Sequence, residues 1–190
     1  MKIGQSMFAA LVAVTCLSMS GCPSEDPVYP TPTATTPPPV VTAPPVAPTS
    51  TACDAMQAQT MAAAVAGRAV KEATGMTPTM SVCANVPEGG SVASDTFYID
   101  ASVCYTAIAN SMPNVTELDV QLVVDPSAIA LMPALAQFAA QPLISDSDVG
   151  PMGRIDCYKY QMLIAAPVKM KVTARQGAGV IAGQLFTKKK

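Results

Sequence analysis

Residues 94–113, SDTFYIDASVCYTAIANSMP, decide the fold, because two different periods can be read in them. Phe97, Ala101, Cys104, Tyr105, Ile108, Ala109 and Met112 recur at spacings of three and four, which would line one stripe of a helix. Ser94 followed by Asp95 supplies a capping residue and a first-turn acid, and Pro113 supplies a stop. Phe97-Tyr98-Ile99 taken alone can pass for a strand. The spacing predicts a helix across the stretch, and the rest of the expected architecture is arranged around it.

Upstream, residues 52–74 are rich in good helix formers, with Ala58, Met61, Ala62, Val65, Ala69 and Ala73 on one stripe. Gly75 stands where a left-handed C-terminal cap is wanted. Met80, Val82, Ala84 and Val86 alternate with Ser81, Cys83 and Asn85, a half-buried strand that Pro87-Glu88-Gly89-Gly90 breaks. Downstream, Leu118, Val120, Leu122 and Val124 alternate with acids and Gln121. Asp125-Pro126 then opens a third helix that Pro133 interrupts.

Residues 154–164 read as a strand with Tyr158, Tyr160, Met162 and Ile164 on its apolar face. Val168, Met170, Val172 and Ala174 alternate with Lys169, Lys171, Thr173 and Arg175, and the cationic face suits a sheet edge. Residues 180–186 would close a hairpin with it. The expected fold is α+β: two layers, about three helices packed on one face of a mixed sheet of four to five strands.

Composition excludes several functions. The 190 residues contain no His, so Ser-His-Asp and Cys-His nucleophile systems are absent, and so is the commonest zinc ligand. A net charge of −2 argues against a nucleic-acid partner. Asp146, Asp148, Gly150 and Asp156 invite a calcium loop, but Arg154 and Cys157 fall at the ninth and twelfth positions, where an EF-hand register needs oxygen ligands. The methionines around Met76 and Met80 fall on apolar stripes and read as core filling rather than a copper site. No phosphate loop, nucleophile elbow or paired carboxylates at helical spacing occur. No catalytic residue, metal site or cofactor is expected.

The N-terminus carries an address. Lys2 precedes an apolar run from Met7 to Met19, too short to span a bilayer, and then come Ser20, Gly21 and Cys22. Met19-Ser20-Gly21-Cys22 resembles the lipobox of bacterial lipoproteins, with Met19 where that family usually has Leu. The resemblance covers residues 1–22 alone. It implies cleavage before Cys22, a diacylglycerol thioether on its sulfur and acylation of its amino group, an anchor of two or three chains that holds durably.

Residues 23–50 hold 10 Pro and 6 Thr among 28, a composition that can form neither helix nor sheet. In polyproline-II geometry such a segment reaches up to about 85 Å. The expected organisation is a signal peptide over 1–21, a tether over 22–50 and one folded domain over 51–190.

Four cysteines remain in that domain: Cys53, Cys83, Cys104 and Cys157. In an exported protein an even number reads as disulfides. Strand alternation puts Cys83 and Cys157 on the sheet face away from the helices. Cys53 and Cys104 belong to the expected helices. The expected pairs are therefore Cys53–Cys104 and Cys83–Cys157.

The functional expectation is a lipid-anchored protein of the bacterial cell envelope, at the outer membrane on its periplasmic side or at the cell surface. Its domain would be non-catalytic, binding another envelope protein or contributing structure. The alternative is a small-ligand-binding module or an envelope enzyme that works without His.

Overall fold

A computed structural model of the chain describes residues 49–129, 136, 138 and 141–189. The expected signal segment, Cys22, the tether as far as residue 48 and the kink at Pro133 lie outside the described residues.

Strands dominate. β1 (Thr51–Ala52), β2 (Thr77–Val86), β5 (Val103–Ser111), β8 (Met152–Lys159) and β10 (Gly179–Lys189) form a first sheet in the order β1-β2-β10-β5-β8. A second sheet runs β3 (Ser91–Ala93), β9 (Ala166–Gly177), β6 (Val115–Val124), β7 (Ile144–Ser145), with β4 (Phe97–Ile99) also pairing β9. Every pairing is antiparallel. The described helices are α1 (Ala55–Glu72) and the single turn α2 (Pro126–Ile129). The expected α+β fold, with about three helices over one mixed sheet, is thus corrected to two antiparallel sheets face to face, with one long helix outside the first.

The error lies in residues 94–113, which form β4 and β5 rather than a helix. β5 is covered on both faces. Tyr105, Ala107 and Ala109 enter the core between the sheets, while Ile108 packs with Val65 of α1. A strand buried on both sides loses its polar–apolar alternation. Small residues at most positions then match a helical stripe by accident.

The core between the sheets joins Ala84, Ile181 and Leu185 of the first to Leu118, Val120, Leu122, Val168, Met170 and Val172 of the second. Gly183 on β10 lets the sheets come close, since a Cβ there would lie 2.7 Å from Val172 Cγ2. On the outer face of the first sheet, Met61 of α1 packs with Val180 and Ala182. α1 begins on a capping box: Asp54 Oδ1 accepts from Gln57 N at 2.8 Å and Gln57 Oε1 from Asp54 N at 3.1 Å. Gly75, with φ +71°, turns the chain after the helix as expected. Arg68 ties α1 to the sheet, donating to Ala109 O and Asn110 Oδ1 at 2.7 Å each while paired with Glu72.

β9 is not an edge strand. It lies between β6 and the β3–β4 side, and two of its three cations meet acids: Arg175 Nε is 2.5 Å from Asp119 Oδ2, and Lys169 Nζ is 3.4 Å from Asp125 Oδ2. Nor do β9 and β10 form a hairpin, because the chain passes between them from the second sheet to the first. β5 and β6 make the matching crossing. Ser111 opposes Ile181 and Val115 opposes Gly177, so the register is the same on both sides of the bend. β5–β6 and β9–β10 are therefore one long antiparallel ribbon folded over the core.

Gly177 sits at that bend with φ +83°, and a Cβ there would meet Asn114 O at 2.1 Å. Gly177→Ala should cost roughly 2 kcal/mol, combining left-handed strain with a backbone clash. Urea denaturation beside Gly67→Ala, where nothing lies within 4 Å, checks this. Equal stability of the two variants would show that the bend relaxes freely.

The strand expected over 154–164 ends at Lys159. Tyr105 opposes Tyr158 but Ala107 opposes Ile155, so β8 carries one extra residue there, a bulge that breaks simple alternation. Of the third helix, α2 and the isolated positions 136 and 138 lie among the described residues. It opens as expected, with Ser127 N donating to Asp125 Oδ1 at 3.0 Å.

Candidate functional site

The cysteines are all engaged, but not in the expected pairs. The disulfides are Cys53–Cys83 and Cys104–Cys157, with Cα–Cα distances of 5.5 and 5.1 Å. Thr51 opposes Asn85 and Ala52 opposes Ala84, so the next step of the ladder sets Cys53 against Cys83, and Cys53 N donates to Cys83 O at 3.4 Å. Cys53 belongs to this short pairing rather than to the first turn of α1. Cys104 lies on β5 beside β8, and the bulge turns Cys157 toward it. The pairs Cys53–Cys104 and Cys83–Cys157 are thereby corrected: each bond staples an outer strand of the first sheet to its neighbour. Cys22 lies outside the described residues.

The buried carboxylates divide into supported and unsupported. Asp125 accepts from the Thr96 hydroxyl, from Ser127 N and Oγ, and from Lys169. These bonds, led by that from Thr96, hold its pKa down to about 2 despite burial. Its role is structural, joining the β3–β4 segment, α2 and β9. Asp146 is the opposite case. Both its carboxylate oxygens are buried with no hydrogen-bond partner among the described residues, and Oδ2 lies where a Cβ on Gly153 would be 2.3 Å away. Burial, reinforced by Asp119 and Asp148, pushes its pKa up to about 6, although the backbone of Val120 and Arg154 draws it partly back. Among the described residues no group of three or more Cys, Asp or Glu side chains could hold a metal ion.

One end of the sandwich gathers the surface features. Cys104 opposes Lys159 on β8 and Lys188 on β10, while Lys189 opposes Val103, so three lysines fall close together on the two strands that flank β5. The loop 160–165 leaves β8 there and enters β9 beside β4, where Ile99 opposes Ala166 and Tyr98 opposes Pro167. Leu163 is fully exposed, and Tyr98 and Ile164 are 65% and 49% exposed. An open groove of about 410 Å³ runs beside Tyr98, lined also by Met80, Phe97, Val103, Leu185, Asp100 and Lys189. A second of about 430 Å³ lies under Tyr158, Met162 and Phe138. Sequence reading placed Met162 and Ile164 on the apolar face of a strand. What it missed is that the strand stops at Lys159 and that Ile164 reaches solvent with Leu163.

Compared with models of protein families and with curated proteins, the sequence matches none.

Proposed function

We propose that this chain is an exported lipoprotein of the bacterial cell envelope, anchored by acyl chains on Cys22, whose folded domain is a non-catalytic interaction or structural module at the end of a Pro/Thr tether. The observation that carries the reading is the sequence Ser20-Gly21-Cys22 placed directly after the apolar run Met7–Met19. The two disulfides support it, because such bonds persist in oxidising compartments outside the cytosol. The roles of the polar groups also support it. Asp125, Asp119, Glu117 and Glu72 hold neighbouring side chains or caps, so these acids work for the fold.

Intact-mass spectrometry of membrane-extracted protein tests the anchor. The expected product begins at Cys22 and carries the mass of a diacylglycerol group and an amide-linked acyl chain. Cys22→Ala should release the protein from the membrane fraction or leave it unprocessed. A mature chain that begins elsewhere, or one without lipid mass, would overturn the reading.

A further inference from the structure

The end of the sandwich that carries Leu163 has a composition the fold itself does not need. Leu163 is fully exposed, Tyr98 largely so and Ile164 about half, and while Met162 packs against the core, no packing among the described residues explains Leu163 and Ile164 beside it. Beside it, Lys159 on β8 and Lys188 and Lys189 on β10 are exposed on the two strands that flank β5. Two of the carboxylates at this end are already paired with cations, and the third, Asp100, lines the groove with Lys189. Glu72 is bound by Arg68, Asp100 accepts from Ser102, and Asp125 is buried against Thr96, Ser127 and Lys169. The face is therefore apolar at its tip, aromatic beside it and cationic around it.

We propose that this end is a membrane-interfacial contact: the loop 160–165 inserts Leu163 and Ile164 at the boundary of headgroups and acyl chains, while Lys159, Lys188 and Lys189 engage anionic headgroups. A protruding apolar tip flanked by tyrosine and lysine matches the chemistry of that boundary, with the apolar part buried about 5–10 Å and the charges left in water. Charge complementarity selects the lipid. Lys159, Lys188 and Lys189 outnumber Asp100, the carboxylate that lines the groove beside Lys189, so this end gains from an anionic bilayer, whereas meeting the same end of a second copy would set cation against cation.

The inference rests on the anchored reading of Cys22 for one thing only, the nearness of a bilayer, which turns weak insertion into an intramolecular event. Thr51, where the chain enters the domain, lies at the opposite end, about 35 Å away along β10. Residues 23–50 are long enough to cover that distance.

The chain contains no Trp, so a single Trp reports without background. Full-length Leu163→Trp, reconstituted into vesicles of phosphatidylglycerol and phosphatidylethanolamine, should emit at shorter wavelength than in detergent-free buffer. Bromine on the acyl chains should quench it several-fold more than Met56→Trp, a control on exposed α1 surface at the other end. The triple change Lys159→Gln, Lys188→Gln, Lys189→Gln should reduce insertion at least about tenfold on these vesicles, and salt should do the same. Equal quenching of the two Trp reporters would overturn the proposal. So would a blue shift of Leu163→Trp already present without vesicles, which would mark a protein contact instead.

The Cys22→Ser form of the Leu163→Trp chain, added to the same vesicles, separates the two ideas. Quenching there without lipid on the wild-type Cys22 sinks the anchor and keeps the contact. Lipid on Cys22 with no quenching sinks the contact alone.

Discussion

Peptide mapping without reduction should return Cys53–Cys83 and Cys104–Cys157 as the linked pairs, and removing them should be among the costliest changes the domain can suffer. The bonds close chain separations of 30 and 53 residues. Chain-entropy reasoning gives each about 3.5–4 kcal/mol of stabilisation through the unfolded state. A domain of this size has only about 5–15 kcal/mol in total. Cys53→Ala with Cys83→Ala, and Cys104→Ala with Cys157→Ala, should each lower the urea midpoint, and the quadruple variant should be close to unfolded. The two losses differ in place. Without Cys104–Cys157 the outer strand β8 keeps one ladder, to β5, and the packing of Ile155 in the core, so its amides should exchange early. Without Cys53–Cys83 the two-residue strand β1 and the start of α1 should fray instead. A Cys53–Cys104 peptide, or a stability unchanged by either double substitution, would overturn this account.

The error over these pairs and the error over the fold have one origin. Where an element has one wet face, its period can be read directly: β2, β6 and β9 alternate, and α1 carries its stripe, its cap at Asp54 and its stop at Gly75. β5 has no wet face. Between α1 and the second sheet, every residue from Cys104 to Asn110 is buried, and a run of Ala, Ile, Thr and Cys has no period left to read. With β5 taken for a helix, Cys104 moved to the wrong layer and its partner went with it.

β9 failed differently. Its cations at Lys169 and Arg175 were legible, but the acids that neutralise them, Asp125 and Asp119, come from another strand and its turn. No local pattern contains that pairing. The exposed loop 160–165 was hidden for the same kind of reason, since its alternation continues that of β8 while the ladder does not. The anchor at Cys22, by contrast, is a property of sequence alone.

Asp146→Asn should make the domain more stable at neutral pH and less sensitive to pH. Both oxygens of Asp146 are buried without a partner among the described residues, and Asp119 and Asp148 add like charge. Folding therefore raises its pKa from 3.8 to about 6. Between those values the folded state binds more proton than the unfolded chain, so stability falls as pH rises through the window and stays low above it. A rise of that size corresponds to about 3 kcal/mol, which the partial exposure of the residue screens to about 1–2 kcal/mol. Asp125 cannot produce the same signature. Its folded pKa is lowered to about 2, so its contribution is present above about pH 4 and disappears only as acid takes the pH down through 2. Urea denaturation at pH 4.5 and pH 7.5 should thus show wild type losing stability at the higher pH, and D146N losing little. D146N should exceed wild type at pH 7.5 and not at pH 4.5, where wild-type Asp146 is already protonated. Were wild type as stable at pH 7.5 as at pH 4.5, the carboxylate must find compensation in solution, through a hydrogen-bond donor or a bound cation, and D146N would then be the less stable protein at pH 7.5.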